Sequence, residues 1–280
     1  MSNGLKNIRG FTLVEIMVAV TIGLIVLAAV AQIFATSRAT YSLEENLARV
    51  QENGRFAMEF LTRDIRMAGY AGCVNVNQAL NASANYTATN GLNNPTDFAN
   101  AFAPQVHIQG HEWTSANTWT PALPAFLAGQ VLDGTDVIVV RRGSETAHRL
   151  DGVMADPTAA ITIREPNDID ANDIVLVGDC SNVDVVKVTG VSTTSGVESL
   201  AHAAANPGNV TNGLSKAFET DAEVMKLITR VYFIGNNANG VPTLYAWDMD
   251  DGQMTNNTTF RLELIPNIES MHVLYGEDTD

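Results

Sequence analysis

The longest apolar stretch of the chain lies near its amino terminus. The 25 residues from Phe11 to Ala35 carry a single charge, that of Glu15. About 20 apolar residues are enough to cross the hydrocarbon core of a bilayer, so this stretch predicts a membrane-spanning helix over residues 11–35. Lys6 and Arg9 precede it, and a positively charged flank stays on the cytoplasmic side. We therefore expect the rest of the chain to lie outside the cytoplasm.

Residues 36–68 continue with a helical pattern of a different kind. Apolar or small residues recur at steps of three and four, which places them on one face of a helix. These residues are Leu43, Leu47, Val50, Gly54, Ala57, Leu61, Ile65 and Ala68. Glu59 and Arg63, four residues apart, predict a weak ion pair on the polar side. Gly69 is a typical helix stop, so the sequence predicts one continuous helix from Phe11 to Ala68.

The remaining residues, 69–280, predict a head domain rich in β-strands. Residues 71–132 are polar and irregular, and short β-branched runs separated by Gly, Asn, Asp and Pro follow them. The predicted strands are 136–140, 161–163, 173–177, 183–188, 227–234, 243–247, 260–265 and 271–275. An antiparallel sheet laid across the carboxyl-terminal half of the helix would cover the apolar faces of both elements. The predicted fold class is therefore α+β.

Composition and charge narrow the range of partners. Of the 280 residues, 46% are hydrophobic and 17% are charged, which is typical of a folded chain rather than a disordered one. Residues 69–280 carry 25 acids and nine bases, a net charge of −16. Such a surface repels a phosphate backbone, and no basic stripe interrupts it. We predict no nucleic-acid partner and a secreted, solvated head.

Cys73 and Cys180 are the two cysteines of the chain. Outside the cytoplasm, an even pair of cysteines is more often bonded than free. We predict a disulfide between them that joins the end of the helix to the middle of the sheet. It would close a loop of roughly 100 residues and stabilise the head by up to about 4–5 kcal/mol. Two buried free thiols are the alternative.

Residue combinations that indicate catalysis or metal binding are weak. His107 and His111 are four residues apart, but the HExxH order of a zinc protease is absent. The sequence has no Gly-x-Ser-x-Gly turn and no Walker A loop. Two acidic groups, Asp168, Asp170, Asp173 and Asp248, Asp250, Asp251, lack EF-hand spacing. We predict no enzymatic activity, no cofactor and no metal site.

The string Arg9-Gly10-Phe11-Thr12-Leu13-Val14-Glu15, followed by the apolar run, resembles the class III leader of type IV prepilins and pseudopilins. The resemblance implies that residues 1–10 are a leader, which a prepilin peptidase removes between Gly10 and Phe11. It also implies N-methylation of the new terminus at Phe11. The apolar helix would remain in the mature protein.

Glu15 matches the buried acid of that family. A carboxylate among aliphatic side chains is costly and usually has both a partner and a function. The partner that the resemblance implies is the terminal ammonium of a neighbouring subunit, and the pair would set the axial register of a filament. The alternative is a glutamate that reaches the lipid headgroups, since it lies one turn into the helix.

Two further segments narrow the resemblance. Residues 63–73, RDIRMAGYAGC, and residues 269–276, ESMHVLYG, resemble stretches of PilW-type minor pilins. This likeness implies a type IV pilus subunit that is incorporated at low copy. Its partners would be prepilin peptidase, other major and minor pilins and the pilus assembly platform. It would be anchored in the inner membrane with a cytoplasmic amino terminus and a periplasmic head, and would later join the pilus on the cell surface.

Other interpretations remain open from the sequence. A pseudopilin of a type II secretion system would have an indistinguishable leader. A cleaved secretory signal peptide would use Ala29–Ala31 as its small-residue site and leave Gln32 as the mature terminus. A simple uncleaved anchor is the third alternative. Because PilW-type chains usually continue past the late Tyr-Gly stretch, two alternatives are open for the head: its final strands are truncated, or the chain is a genuine short form.

Overall fold

The computed structural model describes residues 11–75, 87–92, 107–205, 208–249 and 261–276. A single long helix, α1, spans Leu13–Met67. The strands are β1 Tyr70–Ala71, β2 Val74–Asn75, β3 Thr87–Asn90, β4 Ile108–Ser115, β5 Thr118–Thr120, β6 Val137–Gly143, β7 His148–Arg149, β8 Ile161–Arg164, β9 Ile174–Gly178, β10 Asn182–Lys187, β11 Gly190–Thr194, β12 Val197–Ala201, β13 Glu223–Asn236, β14 Pro242–Met249 and β15 Arg261–Pro266. The chain divides into two compact units, Met1–Glu52 and Asn53–Asp280, and α1 contributes residues to both.

The carboxyl end of α1 agrees with the predicted stop. The helix ends at Met67, and Gly69 adopts a positive φ of 74°, a conformation that residues with a Cβ rarely take. The Gly69 amide then donates a hydrogen bond of 2.9 Å to the Arg141 carbonyl on β6. The chain therefore contacts β6 of the sheet immediately after the end of the helix.

The largest sheet of the second unit is organised around β13. This 14-residue strand pairs in the antiparallel sense with β9, β6, β7 and β14, and β14 in turn pairs with β15. The predicted runs at 136–140, 173–177, 183–188, 227–234 and 243–247 form strands of this sheet, as does the described part of 260–265. The antiparallel α+β architecture is confirmed.

One pair of strands departs from the antiparallel prediction. β3 pairs with β10 in the parallel sense, with Thr87 opposite Asn182. Parallel neighbours need a long connection, and these two strands are far apart in sequence, so no tight turn dictates their direction.

Alternate residues of β13 pack on opposite faces of the sheet. Val231 and Phe233 join one core with Trp119, Phe126 and other residues of the segment that follows β4. Tyr232 and Ile234 point to the other face. That second face is covered by Ala57 and Leu61 of α1, by Ala68 directly after the helix, and by the tail residues Ile268, Met271 and Val273.

A smaller sheet packs elsewhere in the head. Its strands are ordered β11-β12-β8, and β11 and β12 form a tight hairpin. Ser195 and Gly196 both have positive φ angles, 54° and 79°, as a two-residue hairpin turn requires. Ile161, Ile163 and Leu200 of this sheet are fully buried in a common core with Val175 and Val177 of β9.

Two predictions about secondary structure are wrong. Residues 71–132 were expected to be irregular, yet they contain β4 and β5; in β4, the residues Gln109, Gly110, His111 and Glu112 interrupt the β-branched pattern. Residues 271–275 were expected to form a strand, but they pair with no strand in the part of the chain that the structure describes. Instead, Met271 and Val273 face the sheet, and Tyr275 lies so close to Gly110 that a Cβ there would be 1.8 Å from the tyrosine oxygen.

Asp136 holds the tail in place without strand pairing, through both its backbone amide and its carboxylate. The Asp136 amide donates to the Met271 carbonyl at 2.8 Å, and the Asp136 carboxylate accepts from the Val273 amide at 2.9 Å. The same carboxylate accepts from the Trp113 amide at 2.9 Å. The tail therefore lies over a face of the sheet rather than extending its edge.

Candidate functional site

The apolar part of α1 exposes its side chains to the surroundings. Among the described residues, α1 is the one helix whose length and composition would allow it to cross a membrane. Its most apolar 18-residue window has a mean hydropathy of 2.7, and none of that window is buried within the chain. Large side chains such as Ile16, Leu24 and Ile33 are more than half exposed. An exposed apolar surface of this size is typical of a segment that contacts an apolar environment outside the chain.

The first turn of α1 is closed by a reciprocal cap. The Glu15 amide donates to the Thr12 hydroxyl at 3.3 Å, and the Glu15 carboxylate accepts from the Thr12 amide at 3.3 Å. This is the Thr-x-x-Glu capping box, which satisfies amides that the helix leaves without partners. In the isolated chain, Glu15 thus has a local partner within its own first turn.

Of the two predicted cleavage residues, the structure describes one. Phe11 precedes the helix with 83% of its surface exposed, whereas Gly10 lies outside the described residues. The predicted roles of Gly10, Phe11 and Glu15 concern a peptidase, a methylated terminus and a neighbouring subunit. They therefore remain predictions.

The predicted disulfide is present between Cys73 and Cys180. Their Cα atoms are 5.0 Å apart, and 107 positions separate them in sequence. The bond links the segment between β1 and β2 to the turn between β9 and β10. It therefore fastens the chain that leaves α1 to the middle of the large sheet.

The turn beside the disulfide is organised by Asp179. Its carboxylate accepts hydrogen bonds from the amides of Ser181 and Asn182, at 2.7 and 2.8 Å, and pairs with Lys216. Burial by itself would raise the pKa of Asp179, but the Lys216 ammonium and these hydrogen bonds outweigh it and lower the pKa below its usual range. The charged aspartate therefore keeps the Cys180 turn in one conformation.

A buried carboxylate on α1 connects the helix to three side chains of the large sheet. Asp64 is 1% exposed, and it is the one buried residue of the helix among those that the structure describes. Its Oδ1 accepts from Arg142 at 3.2 Å, and its Oδ2 accepts from Arg230 at 2.9 Å and from the Tyr232 hydroxyl at 2.6 Å. We call Asp64, Arg142, Arg230 and Tyr232 the Asp64 cluster.

The Asp64 cluster extends to a second carboxylate. Arg230 also donates two hydrogen bonds to Asp248 of β14. The bond to Asp248 is the main reason that the pKa of Arg230 is raised, and Asp64 adds to it. Burial raises the pKa of Tyr232, and the hydrogen bond to Asp64 raises it further. The cluster therefore favours the charged form of Arg230 and the neutral form of the Tyr232 phenol.

The sequence interpretation missed Asp64 because it counted every acid of the helix as part of the polar side. The expected stripe ran through Ile65, which is 38% exposed in the structure. The side that packs on the sheet passes through Ala57, Leu61, Asp64 and Ala68, at steps of four, three and four; Asp64 is buried and the other three are partly buried. An acid that falls on an apolar stripe was the available signal, since such an acid requires a buried partner.

The histidines and acidic loops have local structural roles. His111 is buried, and its Nδ1 lies 2.8 Å from the Pro121 carbonyl; burial is the main reason that its pKa is lowered. His148 pairs with Asp168, and Lys226 pairs with Asp173. Asp250 and Asp251 lie outside the described residues. Across the described ranges, no group of three or more His, Cys, Asp or Glu residues is arranged to hold a metal ion.

Comparison with known families gives two matches. A family model described as the prokaryotic N-terminal methylation motif matches residues 5–31, which include the start of α1 and Glu15. A second, described as type IV pilus-assembly protein W, matches residues 231–280, which include the end of β13, β14, β15 and the tail. No curated protein and no solved structure matches the chain. The chain is therefore similar to prepilins over the start of α1 and to PilW-type pilus-assembly proteins over its last 50 residues.

Proposed function

We propose that this chain is a minor pilin, a low-copy structural subunit of a type IV pilus that helps to initiate or support pilus assembly. The observation that carries the proposal is the coexistence of three features. A prepilin methylation motif precedes an apolar helix whose side chains are exposed, and a disulfide-bonded β head follows it. Packing among the helices of other subunits would cover that exposed surface.

The proposed route begins in the inner membrane. Prepilin peptidase would cleave between Gly10 and Phe11, and the α-amine of Phe11 would be methylated. The apolar segment would hold the subunit in the bilayer until the assembly platform transfers it to the filament. The role proposed here is structural rather than enzymatic.

The mature amino terminus tests this route directly. We expect mass spectrometry of the protein from native membranes to find a methylated Phe11 as the first residue. A Gly10→Val variant should retain its leader, because the bulk of valine would block a subsite that accepts only glycine. A mature chain that begins at Gln32 would show instead that the apolar segment serves as a cleaved export signal.

Glu15 is the residue that we propose sets the position of the subunit in the filament. A Glu15→Ala variant should reduce incorporation into pili by about tenfold or more, because the ammonium of a neighbouring subunit would lose its buried partner. Quantitative immunoblotting of sheared pili, normalised to the membrane pool, measures this loss.

The matched control for Glu15→Ala is Thr12→Ala. It breaks the same capping box but leaves the carboxylate in place, and the loss of a cap alone weakens the helix by only about 1 kcal/mol. We expect Thr12→Ala to be incorporated nearly as well as the wild type. Equal losses in the two variants would show that Glu15 acts only as a helix cap.

A deletion of the gene separates the two filament systems that share this leader. Loss of surface pili with normal secretion of exoproteins is the result expected for a minor pilin. Intact pili with defective secretion would instead make the chain a pseudopilin of a type II secretion system.

A further inference from the structure

The Asp64 cluster joins one helical residue to two neighbouring strands. Arg142 lies on β6, whereas Arg230 and Tyr232 lie on β13, and all three donate to the two oxygens of Asp64. Hydrogen bonds are directional, and both oxygens are engaged from fixed strand positions. Either a rotation of the helix or a translation along its axis would break these bonds.

The apolar contacts on the same side do much less to fix the position of the helix on the sheet. They are made by Ala57, Leu61 and Ala68, two of which have a single methyl group as the side chain. Apolar burial is non-directional and roughly proportional to area. A shift by one helical turn, about 5.4 Å, would keep the helix on the sheet with similar apolar contact.

The composition of the cluster is also poorly suited to maximising stability. Arg142 is nearly completely buried, yet its Nε has no hydrogen-bond acceptor among the described residues. Desolvating charged groups costs several kcal/mol each, and well-packed apolar residues often serve as well or better. A partly satisfied buried network therefore suggests a role other than net stabilisation.

We propose that the Asp64 cluster is a register lock, in which Asp64 is the positioning residue that selects one axial and rotational placement of α1 residues 53–67 on the sheet. A shifted helix would leave Arg142 buried without its carboxylate and would place Asp64 against apolar side chains. The cluster acts chiefly by excluding such alternatives. This inference does not depend on the proposed function, because it concerns packing within the head unit.

The exposed pair Arg63 and Glu145 provides a reporter of register. In the structure, Arg63 Nη2 lies 2.6 Å from Glu145 Oε1. The pair Arg63→Cys with Glu145→Cys should cross-link when the helix has this register. The pair Glu59→Cys with Glu145→Cys should cross-link when the helix is shifted by one turn. The native cysteines are occupied by their disulfide. A short bifunctional methanethiosulfonate would cross-link each pair in the full-length chain, purified in detergent.

The measured quantity is the ratio of cross-linking in the first pair to that in the second. Glu145→Cys is common to both pairs, so its own effect cancels in this ratio. We expect the first pair to react several-fold more in the otherwise wild-type chain. In an Asp64→Leu/Arg142→Leu background the head should still form its disulfide, but the ratio should fall towards one. Arg230 would keep Asp248 as its partner in that background.

Two further backgrounds make the test decisive. Asp64→Asn preserves the shape of the side chain but removes its charge, and this variant should also lower the ratio. If the double variant does not fold, Asp64→Asn alone tests whether the cluster selects the register. Asp173→Leu/Lys226→Leu removes another buried ion pair, one that does not involve α1, and should leave the ratio unchanged. A wild-type ratio in Asp64→Asn, or in a folded double variant, would overturn the proposal.

Discussion

An Asp64→Ala variant should lower the free energy of unfolding of the head by about 3–5 kcal/mol. The variant removes the closest carboxylate from Arg142, which is 5% exposed and whose other acidic neighbour, Glu145, lies 4.0 Å away. Arg230 would lose one of its two carboxylates, and the buried Tyr232 hydroxyl would lose its acceptor. Denaturant unfolding in detergent, followed by the fluorescence of Trp119 and Trp247, measures the change.

The matched control is Glu59→Ala, on the same helix. Glu59 is exposed, and the structure shows Arg63 paired with Glu145 rather than with Glu59. Removing its carboxylate should therefore change the unfolding free energy by less than about 0.5 kcal/mol. If the two variants lose similar amounts, the Asp64 cluster is solvated and our description of it is wrong.

The second large effect is expected from the disulfide. Replacing both Cys73 and Cys180 with alanine should lower the free energy of unfolding by up to about 4–5 kcal/mol, because the bond closes a long loop and restricts the unfolded chain. The loss should appear as a lower midpoint of denaturant unfolding. Asp179 would still hold the turn beside position 180, so the fold of the head should survive.

Reduction of the wild-type protein provides the control for this variant. A reducing agent should lower the unfolding midpoint of the wild type to that of the double-alanine variant and should leave the variant itself unchanged. A midpoint that responds to neither change would contradict the prediction, because it would mean that the bond does not restrict the unfolded chain.

The central strands could be predicted from sequence because they are mostly buried. β6 and β13 each contain a run rich in β-branched and aromatic residues, and both of their faces pack against other layers. β4 was missed because Gln109, Gly110 and His111 interrupt such a pattern. Residues 271–275 show strand-like alternation but no pairing, because Asp136 and the face of the sheet take the place of a neighbouring strand.

The sequence by itself determined the features that depend on local order. The apolar run, the capping-box positions Thr12 and Glu15, the helix stop at Gly69 and the prepilin motif can all be identified from residues close together in the chain. The Cys73–Cys180 pairing could also be predicted, since only one pairing of two cysteines exists. Such features involve either residues close together in the chain or a pairing with one possible solution, so they can be predicted without knowing the fold.

Only the tertiary structure decided which charges meet. Glu59 was expected to bind Arg63 because they are four residues apart, yet Arg63 binds Glu145, which is 82 positions away. The three side chains that donate to Asp64 lie 78, 166 and 168 positions after it in the sequence. Contacts of this kind exist only after β6 and β13 have paired and the helix has packed on them. A periodic pattern shows which face of a helix is apolar, but it does not show what that face will contact.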